Sequence, residues 1–407
     1  MHRVHAELKE LATYSSTELP AVTRVLYTKE DLEARGYFIS LCEEIQLKIR
    51  FDAIGNIFAR WEGSDSRLAA VATGSHIDAI PLSGMYDGTV GVFGGLAAIR
   101  ELKKMGHQPK RSIELILFTA EEPTRFKIGC LGSRMLSGQL GKEDVLKLVD
   151  DKGKHFDEVR KKAGFFTSLN DVALSSDTYH AFIELHIEQG PTLEQEHLDI
   201  GIVTKIAAPS SLKVSIKGEG GHAGAVLMKH RKDAAAAGAE IVLAVEKIAR
   251  GSESDDTVAT VGIFDIKPRA VNSIPKEAYL EIDLRDTNLE VRDQALVDLK
   301  NQIEDICNQR GVTFQLEIVN CDPPAVCDIN LINIVERIVR KRGFSYKTMI
   351  SRAYHDSLFM ALLAPTTMVF IPCRNGVSHR PDEYSSPEQI ERGILVLMDT
   401  LKLLSND

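Results

Sequence analysis

A mixed α/β domain interrupted by a smaller α+β module is the fold class this sequence predicts. Three observations predict it: apolar runs of strand length around an amphipathic helix over 68–120, a change to alternating apolar and polar residues from about Lys205 to Glu317, and a return of the first texture after it. At 407 residues the chain exceeds the usual size of one hydrophobic core, so two domains are expected, 1–204 with 318–407 and an inserted 205–317.

The apolar run Leu68 to Thr73 reads as a strand, followed by a loop and a helix from about Gly88 to Met105. Val92, Leu96, Ile99 and Leu102 share one face of that helix, so Arg100, Lys103 and Lys104 are expected to look outward. Ile113 to Thr119 and Ala181 to Leu185 are further strands, making a sheet wrapped by helices. In the insert, Lys213-Val214-Ser215-Ile216-Lys217 alternates as a half-buried strand does, and an Ala-rich helix runs from about Asp233 to Ala249. Strands around Val258 to Ile263 and Ala278 to Leu284, a helix from about Val291 to Arg310, and a last strand Phe314 to Val319 complete a β-α-β-β-α-β order, the ferredoxin-like pattern.

Composition excludes several classes. A net charge of -9 exerts no general pull on nucleic acid or anionic lipid, so neither is expected as a partner, and an anionic substrate must meet a local cation. No run of about 18 apolar residues is present, and the opening Met1-His2-Arg3-Val4-His5 lacks the apolar segment of a signal peptide. A cytoplasmic chain is the default expectation, with the endoplasmic reticulum the alternative if a leader has been trimmed. The six cysteines are dispersed without a C-x-x-C pair, and reduced thiols are expected.

The chemistry concentrates where strands end, which is where open α/β sheets carry their sites. Gly74-Ser75-His76-Ile77-Asp78 follows one strand, Tyr86-Asp87-Gly88 opens the helix, and Glu121-Glu122 follows the next strand; His186 follows a third, and His379 lies near the end. Imidazole and carboxylate without thiolate suit Zn, Mn, Co or Ni in an open catalytic centre. Two cations a few Å apart need a carboxylate bridge, and Asp87 beside glycine is the candidate. His76, Glu122, His186 and His379 then complete two partial shells, and Asp78 orients the His76 ring. Consecutive side chains in extended structure diverge, so Glu122 is expected as ligand and Glu121 as the base that then acts as acid. Taken singly, each histidine is more often a structural residue, Glu-Glu a solvated edge and Asp-Gly a turn; the metal reading rests on their recurrence at strand ends.

With these residues in view, the sequence resembles the two-metal aminoacylase and carboxypeptidase superfamily, in its amidase, hydantoinase and carbamoylase branch. The resemblance runs from about residue 50 to 390. It is carried by Gly-Ser-His-Ile-Asp at 74–78, Tyr-Asp-Gly at 86–88, Glu-Glu-Pro-Thr-Arg-Phe at 121–126, Leu-His-Ile-Glu-Gln-Gly-Pro at 185–191, Gly-Gly-His-Ala-Gly at 220–224, Asn-Ser-Ile-Pro at 272–275 and Ser-His-Arg-Pro-Asp-Glu at 378–383. Within the branch it is most similar to plant-type ureidoglycolate amidohydrolases, notably at Ala79-Ile80-Pro81, Phe118 to Pro123 and Ser351 to Ser357.

The resemblance implies a metallopeptidase-like catalytic domain with an inserted lid and dimerisation domain, a homodimer, and two divalent ions, commonly manganese. It implies His76, Asp87, Glu122, His186 and His379 as ligands and Glu121 as the catalytic acid/base. It further implies that His222 polarises the scissile carbonyl, that Asn272 and Arg285 hold a substrate carboxylate, and that Gln189 and His355 line the site. Two departures stand out: Val226-Leu227-Met228 replaces the usual Thr-Pro-Met, and Tyr354 replaces a glycine, which shrinks the pocket and adds a hydroxyl. The expected activity is hydrolysis of a ureido C–N bond in a small carboxylate, ureidoglycolate foremost. The rivals are an N-carbamoyl-L-amino acid or allantoate hydrolase, a peptidase of the same superfamily, and a metal-free binding protein that keeps the fold.

Overall fold

The structure is a computed structural model that describes residues 3–407. The chain forms two compact units. The first comprises residues up to Thr204 with Val326–Ser351 and His355–Asp407, and the second Lys205–Ala325 with Arg352–Tyr354.

The first unit is built on a nine-stranded mixed sheet. Its centre is four parallel strands in the order Ile113–Phe118, Ala70–His76, Tyr179–Ile187 and Thr366–Ile371. Antiparallel strands flank them, Ile57–Trp61 and Lys48–Phe51 on one side and Ile200–Ile206 on the other. Every residue of Ala70–His76, Ile113–Phe118 and Thr366–Ile371 is buried, as expected of parallel strands covered on both faces. All four parallel strands end at one edge, and the site forms there.

Two strands run further than the sequence suggests. Pairing with Ile113–Phe118 carries the first through to His76, which stands opposite Phe118, and His186 lies inside its strand, opposite Phe370. The helix Thr89–Lys104 also differs from expectation: Arg100 does not face solvent. Its guanidinium bonds to both Glu7 oxygens at 2.9 and 3.2 Å beneath the N-terminal helix Arg3–Thr13, and both residues are buried. Gly91, Gly94 and Gly95 let this helix approach the sheet, since an added Cβ would lie 2.4 Å from the Leu185 carbonyl oxygen, 2.7 Å from Leu185 Cδ2 and 2.7 Å from Leu115 Cδ1 respectively. All six cysteines are free thiols.

The second unit is a four-stranded antiparallel sheet in the order Val258–Lys267, Glu277–Asp286, Ala208–Lys217 and Thr313–Cys321. The helices Ala234–Arg250 and Leu289–Arg310 cover one face, burying Leu212, Val214, Ile216, Leu280, Ile282 and Leu284. Residues along Glu277–Asp286 alternate strictly between buried and part-buried, the period-two pattern of a sheet with one covered face. The β-α-β-β-α-β order is the ferredoxin-like one. Its last strand continues beyond residue 317, and the unit extends through Ala325. Among the described residues no helix is long and apolar enough to cross a membrane.

Candidate metal centre

Asp87 lies at the centre of the site, one residue before the left-handed turn at Gly88 that opens the helix Thr89–Lys104. Its Oδ1 is 3.2 Å from His186 Nε2 and 3.9 Å from His76 Nε2. Its Oδ2 is 3.1 Å from His379 Nε2, which in turn is 3.2 Å from Glu122 Oε1. One carboxylate therefore serves two donor sets, His76 with His186 and Glu122 with His379, each within 4.8 Å.

Those donors fit a pair of divalent ions. Two atoms each about 2.1 Å from one ion stand roughly 3 to 4 Å apart, the spacing found here. Ring tautomers agree as well. His76 Nδ1 lies 3.0 Å from the Asp78 carbonyl oxygen and His186 Nδ1 2.9 Å from that of Ile187. Each ring can thereby donate from Nδ1 to a carbonyl, with Nε2 turned toward Asp87. Position 88 admits only glycine, because at φ +65° an added Cβ would lie 2.3 Å from His76 Nε2.

Asp78 meets the His76 ring and the segment of both glutamates. Its carboxylate is 3.6 Å from His76 Nδ1, and the bond to the ring comes from its backbone carbonyl. The carboxylate also accepts the N–H of Glu121 at 3.2 Å and of Glu122 at 3.0 Å. The two glutamates lie beyond the strand, which ends at Phe118, and follow Ala120 at φ 54°. It is this turn, pinned by Asp78, that separates them. Glu122 reaches His379, while Glu121 Oε2 is 3.7 Å from His76 Nε2 and its Oε1 accepts the Cys130 thiol at 3.4 Å.

Charge crowding shapes the titration of these groups. Burial, with the Glu122 and Asp356 carboxylates, raises Glu121 well above the ordinary carboxyl range against the pull of His76. Burial works against ionised Asp87, yet the hydrogen bonds and charges of His186 and His379 hold it well below that range. Hydrogen bonds to Asp87 and Glu122 push His379 up to about 11. Positive φ at Ala120, Cys130, Gln189 and His379 concentrates backbone strain around the same site, where packing must over-determine it.

Gln189 donates to Asp87 Oδ2 at 2.7 Å, so it supports the central carboxylate itself. His355 is buried with its ring 4.5 Å from that of His186. The other expected residues belong to the second unit. His222 pairs with Ser273 in a short antiparallel ribbon, and the Ala223 N–H donates to the Asn272 carbonyl at 2.9 Å. The Gly224 N–H donates to His222 Nδ1 at 3.1 Å, placing that ring's proton on Nε2. The Arg285 guanidinium is engaged by both Asp283 oxygens, at 2.7 and 3.0 Å, and by the Arg352 carbonyl at 3.2 Å. The Tyr354 hydroxyl donates to Asp322 at 3.0 Å.

Sequence reasoning missed Ser378, Glu383 and Glu184. Ser378 Oγ lies 2.7 Å from Asp87 Oδ2, and Glu383, which burial and the Asp87 charge push up to about 7, binds the backbone of Tyr86 and Asp87. Glu184 accepts Ser75 Oγ at 2.7 Å and Ser357 Oγ at 2.5 Å beneath His186. A carboxylate four residues beyond His379, and another two before His186, were the available signals.

Peptidase family M20/M25/M40 matches residues 72–403. The chain is 52% identical over 408 residues to a ureidoglycolate hydrolase of Arabidopsis thaliana, covering 98% of this chain and 86% of that one. It is 51% identical over 404 residues to a ureidoglycolate hydrolase of Oryza sativa subsp. japonica, covering 98% and 84%. Crystal structures of AtUAH in complex with glyoxylate and with (S)-hydroxyglycine each superpose with a TM-score of 0.92 at 51% identity, over 99% of this chain and 97% of theirs. With the family pattern spanning both units and the donor sets at their strand ends, this chain belongs to peptidase family M20/M25/M40, as a metal-dependent amidohydrolase.

Proposed function

We propose that the chain hydrolyses the ureido C–N bond of (S)-ureidoglycolate, in the breakdown of allantoin, at a dinuclear centre held by His76, Asp87, Glu122, His186 and His379. The observation that carries the reading is the Asp87 carboxylate, with one oxygen against His76 and His186 and the other beside Glu122 and His379. Divalent ions bound there, manganese first and zinc, cobalt or nickel as alternatives, supply Lewis acidity and make water a nucleophile near neutral pH. Glu121 takes the proton from the attacking water and delivers it to the leaving nitrogen; its raised affinity for protons suits a group that must both accept and return one. His222, whose Nδ1 accepts the Gly224 N–H, donates from Nε2 to the carbonyl oxygen as charge develops there. Asn272 and Arg285 hold the substrate carboxylate, with Gln189, Tyr354 and His355 shaping its surroundings.

Bond cleavage releases ammonia, and the remaining carbamate collapses to carbon dioxide and hydroxyglycine, which loses a second ammonia to give glyoxylate. The relatives named for ureidoglycolate support this substrate, as does the tyrosine at 354, which favours a compact molecule. Ammonia release by the metal-loaded chain across ureidoglycolate, allantoate, N-carbamoyl-L-amino acids and dipeptides tests it. Preference for ureidoglycolate is expected; preference for an N-carbamoyl-L-amino acid or allantoate overturns the substrate assignment. A homodimer through the inserted unit is part of the same reading, supported by exposed Ile263 and Phe264 on the sheet-edge strand Val258–Lys267. Light scattering should then give twice the chain mass.

A further inference from the structure

A carboxylate can serve two ions only while its backbone and rotamer are held. Glu383, which is 4% exposed, is placed to hold both. Its Oε1 accepts the N–H of Tyr86 at 2.8 Å and of Asp87 at 3.0 Å, joining segments 297 and 296 residues apart. Its Oε2 is 2.8 Å from Ser378 Oγ, and that hydroxyl also stands 2.7 Å from Asp87 Oδ2. The Tyr86 ring packs edge-on against Tyr384 at 5.8 Å, and Gly84 leaves room for the contact, since a Cβ there would lie 2.4 Å from Glu383 Cβ.

We propose that Glu383 is a positioning residue of the metal centre: it grips the Asp87 backbone directly and, through Ser378, the Asp87 Oδ2, and so keeps the carboxylate turned toward both donor sets. The inference rests on the dinuclear reading above. A carboxylate that only closed a turn would affect stability and leave metal affinity alone. One that aligns a ligand shifts metal affinity, typically by 10- to 100-fold. Ser378 sits one residue before His379, so the same contact ties the second donor set to the first.

The test is calorimetric titration of the full chain with manganese, alongside the melting temperature without metal, for wild type and for E383A, E383Q and S378A. Wild type should take two ions per chain. E383A should bind manganese about 10- to 100-fold more weakly. E383Q should recover most of that loss, because its carbonyl oxygen still accepts the two backbone N–H groups and its amide donates to Ser378. Wild-type affinity in E383A, with only a lower melting temperature, overturns the proposal. Should E383A fail to fold, S378A decides alone: weaker binding upholds the link and unchanged binding refutes it. If wild type itself takes up fewer than two ions, the dinuclear reading fails, and this inference with it.

Discussion

Glu121 and Gly88 show how much of the site rests on single residues. Among the described residues Glu121 faces the His76 ring at 3.7 Å, whereas Glu122 is committed to His379. Glu121→Gln should therefore leave metal content near wild type, by elemental analysis, while turnover falls about 10²- to 10⁴-fold. Retained turnover would remove Glu121 from the proton path. At Gly88 the limit is steric: any side chain enters the His76 imidazole, and φ +65° is poorly tolerated by other residues. Gly88→Ala should cost about 1–3 kcal/mol in urea unfolding and weaken metal uptake together. A variant with wild-type values in both would show that the backbone relaxes at no cost.

Among the elements, the hairpin Lys48–Phe51 to Ile57–Trp61 reaches the site indirectly. In its loop, Asp52 accepts the N–H groups of Ile54 and Asn56 at 3.0 and 2.9 Å and the Asn56 side chain at 2.6 Å. Asn56 Oδ1 in turn accepts the N–H of Thr119 at 2.8 Å, just before the turn that carries both glutamates. Burial pushes Asp52 up to about 6 against those donors. Its folded form thus holds a proton more tightly than the unfolded chain does, so its contribution to stability falls as pH rises from about 4 through 6. Asp52→Asn should flatten that part of the stability profile in urea titrations at pH 4–7, and parallel profiles would count against the assignment. The alternation of Lys48-Ile49-Arg50-Phe51 is a local property of the chain. The upward shift is not, because it follows from what the fold packs over the loop.

For the molecule as a whole, the first unit's donor segments come from three strand ends, the start of the helix Thr89–Lys104 and a C-terminal loop, so bound ions would cross-link distant parts of the chain. Ions present at about 100 times their dissociation constant add roughly 2.7 kcal/mol to the folded state. Chelation should lower the melting temperature accordingly. It should also speed hydrogen exchange around 76–88, 119–122, 186–189 and 378–383, while the helix Ala234–Arg250 of the second unit keeps its protection. Equal exchange with and without chelator would mean that the donor sets hold no ion. The alternation of strands and helices, and the residue types able to bind metal, were legible at this scale, since hydrophobic period and side-chain chemistry are local properties of the chain.

The sequence by itself determined the ingredients: two kinds of sheet, the helix positions, and five nitrogen and oxygen donors without a thiolate. Tertiary structure decided their partners. It turned Arg100 inward onto Glu7, added two backbone amides to the Asp78 carboxylate, sorted the donors into His76 with His186 and Glu122 with His379, and brought in Ser378 and Glu383. Periodicity reports which face a residue takes along its own element, whereas hydrogen-bond pairing depends on side chains almost 300 positions away. Only the packed sheet sets those distances.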